Sequence, residues 1–273
     1  MNVAIIGAGQ LGSRHLQGLA GATDIETIFV IDPDESSLKA AQLRFKEAQK
    51  DEAKLRCLRK ADQIDQTLHT AIISTTANVR LKTLKELLSN TEVAYIILEK
   101  IAFLKEASFE EAEELISRSG AQAWVNCSRR MYHSYKTITS LLSDERQVNV
   151  AVKGLNFGLG CNGIHYIDLV AMLNNCNEYT CDGSLLDREL RKTKRPSCSE
   201  LTGTLTGIFN NGAQFILNSR HAENEPPHHK IHINSTSYEF IVDELNADVR
   251  VLRDPGKNIH TIDFKLPYQS QLT

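Results

Sequence analysis

Through the first half of the chain, short runs of apolar residues alternate with longer charged stretches of a different period. VAIIG (3–7) and IETIFVID (25–32) are continuous apolar, β-branched runs, whereas LGSRHLQGLAG (11–21) and ESSLKAAQLRFKEAQ (35–49) place apolar residues at helical spacing. The alternation continues with a strand at HTAIIST (69–75), a helix at VRLKTLKELLS (79–89) and a strand at VAYIILE (93–99). Strands that are apolar throughout, rather than at every second position, predict a parallel sheet covered by helices on both faces. A further helix is read over 105–120: Ser108 and Glu111 have capping-box spacing, acidic residues crowd the start, Arg118 stands in the last turn, and Gly120 follows. AQAWVNC (121–127) then reads as the closing strand.

The second half has another rhythm. After a helix around 131–143 come a strand at 148–158 and a helix over 162–174. TGTLTGIFNNGAQFILNSRHA (202–222) then places alternating runs on either side of Asn210, Asn211 and Gly212, which is a hairpin signal. With HKIHINSTSYEFIVDE and VRVLRD following, this half predicts a mainly antiparallel open sheet with helices on one face. The fold class is therefore α/β, an N-terminal Rossmann domain over 1–127 followed by an α+β domain over 128–273.

Composition narrows the classes. A 273-residue chain that is 41% hydrophobic and 24% charged has the make-up of a globular protein, and its net charge of −3 gives no field for a polyanion. No nucleic-acid role is expected, and KLRCLRK (54–60) is read as a solvated surface segment. No apolar run reaches the roughly 20 residues of a membrane span, and no signal peptide precedes VAII, so a cytoplasmic protein is expected. Cys57, Cys127, Cys161, Cys176, Cys181 and Cys198 form no CxxC pair and read as reduced thiols. His228, His229 and His232 lack the further converging donors a metal needs, so no metal is expected.

The most specific local signal is GxGxxG at Gly7, Gly9 and Gly12, directly after a strand and at the mouth of a helix. Glycines there permit the sharp turn, the close approach of a pyrophosphate, and tight packing of helix on strand, while the helix start presents N–H groups. Asp32 ends the next strand, twenty positions beyond Gly12, where a carboxylate meets the adenosine ribose. With Pro33 and Asp34 following, a 2′-phosphate would meet two carboxylates and no arginine, which points to NAD rather than NADP. The alternative is a bare turn with Asp32 as a helix cap.

Lys100 stands just past an apolar strand, either facing a ligand crevice or pairing with Glu99 at the surface. If a helix begins near Asn162, then Cys161, Asn162 and His165 share one side, with Asp168 beyond. His165 then reads as a proton-transfer residue, or as a helix-end histidine satisfied by Asp168. Arg129, Arg130, Tyr132 and His133 read as an anion-holding group or as a domain-junction anchor.

Taken together, GAGQLGSRH, Glu99-Lys100-Ile101 and the stretch Cys161 to Asp168 resemble three motifs of the Gfo/Idh/MocA family of nicotinamide-dependent oxidoreductases. The resemblance implies that Lys100 contacts the reacting oxygen and that His165 acts as acid or base. Asn162, Cys161, Arg129, Arg130 and Tyr132 are the candidate substrate-binding residues. Gly7, Gly9, Gln10, Leu11, Gly12, Asp32, Ser74, Thr75 and Glu99 are the candidates for the cofactor. It also implies a sugar, sugar-nucleotide or related carbohydrate substrate and a homo-oligomer formed through the C-terminal sheet. Two positions depart from the pattern: Ile101 replaces the usual proline, and uncharged Cys161 replaces an aspartate. The chain ends at LPYQSQLT without the closing helices that the resemblance implies. A cofactor-binding sensor without turnover, and a reductase of an imine or linear tetrapyrrole, stand as alternatives.

Overall fold

The computed structural model describes residues 1–48, 54–192, 199–256, 259, 262–265 and 267. Cys198 and most of the segment LPYQSQLT lie outside the described residues. The chain divides into two compact units, Met1–Asn126 with Pro267–Thr273, and Cys127–Leu266.

The first unit is a six-stranded parallel sheet. Its strands are β1 (Asn2–Ile6), β2 (Thr27–Ile31), β3 (Leu55–Leu58), β4 (Leu68–Ile73), β5 (Val93–Leu98) and β6 (Gln122–Val125), in the order β3-β2-β1-β4-β5-β6. Helices α1 (Gln10–Leu19), α2 (Glu35–Ala48), α3 (Ala77–Asn90) and α4 (Glu106–Ser119) connect them. Val3, Ile5, Ile28 and Val30 pack with Leu16, Leu38 and Phe45 in one core, while Ala4, Ile6, Phe29 and Ile31 belong to another with Leu84 and Leu87. Both sets of alternating side chains are thus buried, which is why these strands read as unbroken apolar runs. The order is that of a doubly wound sheet whose direction reverses between β1 and β4, and ligands of such sheets bind at the strand carboxyl ends at that switch point.

One sequence expectation is corrected in this unit and one sharpened. KLRCLRK is solvated as expected, but it contains edge strand β3, which has a partner on one side only and leaves Arg56 and Cys57 exposed. The proposed capping box is absent: α4 starts at Glu106, and the Ser108 N–H donates to the Lys105 carbonyl at 3.0 Å inside the first turn. Glu111 instead pairs with Lys85 of α3 at 2.5 Å. The C-terminal end is as expected, with Gly120 in the left-handed region at φ +75°.

The second unit begins with a 3₁₀ turn, Ser128–Met131, and α5 (His133–Leu141). Then follow β7 (Asn149–Leu155), α6 (Leu159–Asn174), β8 (Tyr179–Asp182), and a ribbon of β9 (Arg191–Lys192) with β10 (Ser199–Glu200). The remaining strands are β11 (Gly203–Phe209), β12 (Gln214–Arg220), β13 (His228–Asn234), β14 (Glu239–Asp243) and β15 (Asp248–Arg253). The main sheet has the order β15-β14-β13-β7-β12-β11-β8 and is antiparallel except between β7 and β12. Val150, Val152, Phe215, Leu217, Ile231 and Ile233 are buried, whereas their chain neighbours Lys153, Gln214 and Lys230 are exposed. The hairpin at Asn210–Gly212 forms as expected: Gly212 adopts φ +88°, and Asn211 Oδ1 accepts the Ala213 N–H at 3.0 Å.

Candidate active site

The three glycines differ in what demands them. Gly7 turns the chain at φ +95°, and a Cβ there would stand 2.9 Å from the Thr75 backbone nitrogen, so the loops after β1 and β4 abut at the switch point. A Cβ on Gly12 would overlap the Gly7 carbonyl oxygen, so that glycine lets α1 lie against the turn. Gly9 is different: its added Cβ would meet no protein atom within 4 Å. It is also the N-cap of α1, with no side-chain cap and no acidic residue in the first turn. The helix start is therefore open to an anion, with N–H groups and the positive end of the helix dipole directed at it. Ser74 and Thr75, whose backbone abuts the Gly7 turn, carry buried hydroxyls with no hydrogen-bond partner. An uncapped helix start and an open glycine are the features a dinucleotide pyrophosphate would complete.

Asp32 ties the glycine loop to the end of β2, its Oδ2 accepting the Ala8 N–H at 2.7 Å and its Oδ1 the Asp34 N–H at 2.9 Å. A carboxylate has about four acceptor positions, so two remain for ribose hydroxyls. The helix-cap role considered for Asp32 belongs to Asp34. The hydroxyls of Ser36 and Ser37 donate to Asp34 at 2.6 and 2.8 Å, and their backbone N–H groups at 3.2 and 3.0 Å, which together hold its pKa at about 2. Gln10 is exposed at the first position of α1, where Arg44 of α2 donates to its Oε1 at 3.0 Å, and Leu11 is half-buried.

Glu99 is not half of a surface ion pair. It is 3% exposed, lies 2.9 Å from His15 Nε2, and accepts from Asn126 Nδ2 at 2.6 Å. Burial by itself would raise its pKa, but the bonds from His15 and Asn126 and the charges of His15 and Arg80 hold it below the ordinary carboxylate value. The histidine of GSRH thus anchors the strand end from which half-buried Lys100 follows; the Lys100–Ile101 peptide is cis.

Arg80 was not singled out in the sequence, where it reads as one more cation of a charged helix. It is 2% exposed and donates to the carbonyls of Thr75, Ile101 and Ala102, the last at 2.8 Å, joining the loops after β4 and β5. Burial pulls its pKa down to about 10 against the favourable charge of Glu99, still far above neutrality, so it holds both loops as a cation. Arg80→Met leaves those carbonyls without their donor and is expected to cost about 3 kcal/mol in urea unfolding. A loss below about 1 kcal/mol would show that the loops hold themselves.

In the second unit, α6 begins at Leu159, earlier than Asn162. Gly158 enters it at φ +76°, and the Glu200 carboxylate accepts the Gly160 N–H at 2.5 Å, satisfying an N–H of the first turn. Asn162 Nδ2 is directed back to the Phe157 carbonyl at 2.7 Å. Cys161 is exposed and His165 is 8% exposed, so residues that share one side of the helix differ in depth. Asp168 is held by Arg130, whose Nε donates to both of its oxygens at 2.9 and 2.8 Å.

Of the group read as an anion holder or a domain-junction anchor, Arg129 is engaged inside the second unit. Arg129 makes a two-pronged bond to Glu244, Nε to Oε1 at 2.8 Å and Nη2 to Oε2 at 2.5 Å, and its guanidinium lies 4.4 Å from the Tyr166 ring centroid. Tyr135 donates to Glu244 at 2.8 Å, and His229 Nε2 lies 3.4 Å from that carboxylate and 2.9 Å from the Tyr166 hydroxyl. Tyr132 stands at the N-cap position of α5, without a side-chain cap bond, and stacks on Tyr135 at 6.0 Å between centroids. These side chains join α5, α6, β13 and the end of β14 into one packed assembly. Neither Glu244 nor Glu200 carries a local pattern that could have marked it, since the partners of each are remote in sequence.

Among the described residues, no three His, Cys, Asp or Glu groups gather as a metal-ligand set, and no helix is long and apolar enough to cross a membrane.

No protein-family model and no curated protein matches the chain. Solved structures do share its fold. The UDP-N-acetylglucosamine 3-dehydrogenase GnnA from Acidithiobacillus ferrooxidans is 16% identical with a TM-score of 0.69, over 99% of this chain and 85% of its own. GenD2 from gentamicin A biosynthesis, in complex with NAD, is 15% identical with a TM-score of 0.72, over 100% and 82%. An oxidoreductase from Agrobacterium radiobacter, in complex with NAD+, L-tartaric acid and magnesium, is 14% identical with a TM-score of 0.72, over 100% and 85%. The first of these is named a dehydrogenase and the last an oxidoreductase, and the architecture that the sequence resemblance implies is the one observed.

Proposed function

We propose that the chain is a nicotinamide-dependent oxidoreductase that acts on a hydroxyl or ketone of a carbohydrate-like molecule. The observation that carries this reading is the cradle at the switch point: open Gly9 at an uncapped helix start, just after the Gly7 turn that abuts Ser74 and Thr75. Asp32, with two acceptor positions left, suits the vicinal hydroxyls of an unphosphorylated ribose and so favours NAD. When bound, the nicotinamide supplies the acceptor or donor of a hydride.

The residues of the chain supply the rest. Lys100 polarises the reacting oxygen by donating a charge-assisted hydrogen bond, and His165 takes the hydroxyl proton in oxidation or returns it in reduction. Arg80 and Glu99 keep the strand end that carries Lys100 in place from within the first unit. A sugar or sugar-nucleotide substrate is favoured by the motif resemblance and by the sugar-nucleotide dehydrogenase among the structural neighbours. The sensor reading draws on uncharged Cys161, which cannot act as a carboxylate acceptor.

The test is NADH binding followed by turnover on a panel of sugars and sugar nucleotides. Lys100→Ala and His165→Ala are each expected to lower kcat about 100-fold or more while leaving NADH affinity within about threefold. Preserved turnover in both variants removes the catalytic assignment. Tight NADH binding with no turnover by the unsubstituted protein favours the sensor.

A further inference from the structure

The first turn of α6 has a thiol, Cys161, where the motif resemblance leads one to expect a carboxylate, yet a carboxylate reaches that turn from another part of the chain. Glu200 ends β10, which pairs with β9, and its side chain lies against the start of α6. Only one of its oxygens is used: Oε1 accepts the Gly160 N–H at 2.5 Å and the Leu201 N–H at 2.9 Å, while Oε2 accepts no hydrogen bond among the described residues. The glycines show where that free oxygen stands. A Cβ on Gly158 would lie 3.1 Å from Glu200 Oε2, 3.1 Å from Asn162 Nδ2 and 3.8 Å from Cys161 Cβ, so these three side chains border one space that glycine leaves open. A Cβ on Gly160 would stand 2.8 Å from Oε1, so a side chain there would push the carboxylate off the helix. His165 lies one turn further along α6, on the side of Cys161.

We infer that Glu200 is a substrate-binding residue: its Oε2 accepts a hydrogen bond from a hydroxyl of the carbohydrate, returning to this turn the carboxylate that Cys161 lacks. The inference rests on the oxidoreductase reading above. A hydroxyl donating to a carboxylate makes a short, charge-assisted bond, whereas a thiol is a weak acceptor, so the two groups are not equivalent as anchors for a sugar. The two backbone N–H groups on Oε1 hold the carboxyl in place before any ligand arrives, and the second oxygen is left for the ligand. Uncharged Cys161 counts against turnover only when α6 is read alone. Glu200 is distant from it in sequence and adjacent in the fold.

Glu200→Gln separates charge from fold, because an amide oxygen still accepts the Gly160 N–H. Its thermal midpoint is expected to stay within about 3 °C of the unsubstituted protein and its NADH affinity within about threefold. On the sugar or sugar nucleotide that the unsubstituted protein turns over fastest, its kcat/KM is expected to fall about tenfold or more. Adding Cys161→Asp to Glu200→Gln puts a carboxylate back on the same turn and should recover most of that loss. One deoxy analogue of that substrate should lose about tenfold with the unsubstituted protein and less than about twofold with Glu200→Gln, since the hydroxyl and its acceptor form one interaction. A kcat/KM within about twofold of the unsubstituted protein in Glu200→Gln overturns the inference and leaves Glu200 as a helix cap. A loss that Cys161→Asp does not recover also overturns it. Both of these outcomes leave the oxidoreductase reading standing, because the unsubstituted protein turns its substrate over. Turnover of no member of the panel by the unsubstituted protein removes that reading and this role with it.

Discussion

Glu244→Ala is expected to destabilise the second unit by about 3–5 kcal/mol, because it leaves the buried Arg129 guanidinium without its carboxylate. The side chains of Arg129 and Glu244 are 11% and 7% exposed, so water cannot replace the lost partner, and Tyr135 and His229 lose their acceptor at the same time. Urea unfolding followed by far-UV circular dichroism measures the loss. A change below about 1 kcal/mol would mean that the network is ornamental to folding. The same carboxylate sets an acid limit. Burial alone would raise its pKa, but the bonds from His229, Arg129 and Tyr135 and the charge of Arg129 hold it at about 2, below its ordinary 4.5. A depressed carboxyl stabilises the fold fully above its unfolded pKa and loses that contribution as pH falls through the folded one. Stability should therefore decline between pH 4.5 and about 2 through this group, and Glu244→Gln should flatten that part of the profile.

Gly12→Ala is expected to abolish detectable dinucleotide binding and to cost about 3 kcal/mol, the upper end for overpacking, because the new methyl would overlap the Gly7 carbonyl. Neither the backbone turn nor α1 can yield without opening the cradle. Gly9→Ala supplies the contrast. Its methyl meets no protein atom within 4 Å, so stability should stay within about 0.5 kcal/mol while NADH affinity falls. If Gly9→Ala binds NADH as tightly as the unsubstituted protein, the open front of Gly9 does not face the cofactor. If Gly12→Ala folds and binds normally, the packing argument for that glycine fails.

Local sequence carried the elements whose physics is local. The central strands are continuous apolar runs because both faces of a parallel sheet are buried, and the Asn210–Gly212 turn follows from glycine's access to positive φ. Edge strand β3 escaped because it has one neighbour and exposed residues, so its composition resembles a loop. The bounds of α4 were read to within a residue, but its capping box was not real, because Ser108 and Glu111 have the right spacing inside the helix and spacing alone does not say which residue is the cap.

What the sequence determined by itself was the glycine cradle after β1, the acid ending β2, the alternation of the central strands with helices, and hence the class of fold. Each of these depends on residues close together in the chain, where backbone sterics and hydrophobic period decide the outcome. The tertiary structure alone decided the partners of the charged side chains. His15 and Asn126 meet on Glu99, Arg80 bridges two loops, and Asp34 rather than Asp32 caps α2. Arg129 and Arg130 are taken by Glu244 and Asp168, and Arg59 comes beside Pro33. A buried charge must find an opposite charge or a set of dipoles wherever the fold brings one, and that partner carries no mark of its distance along the chain.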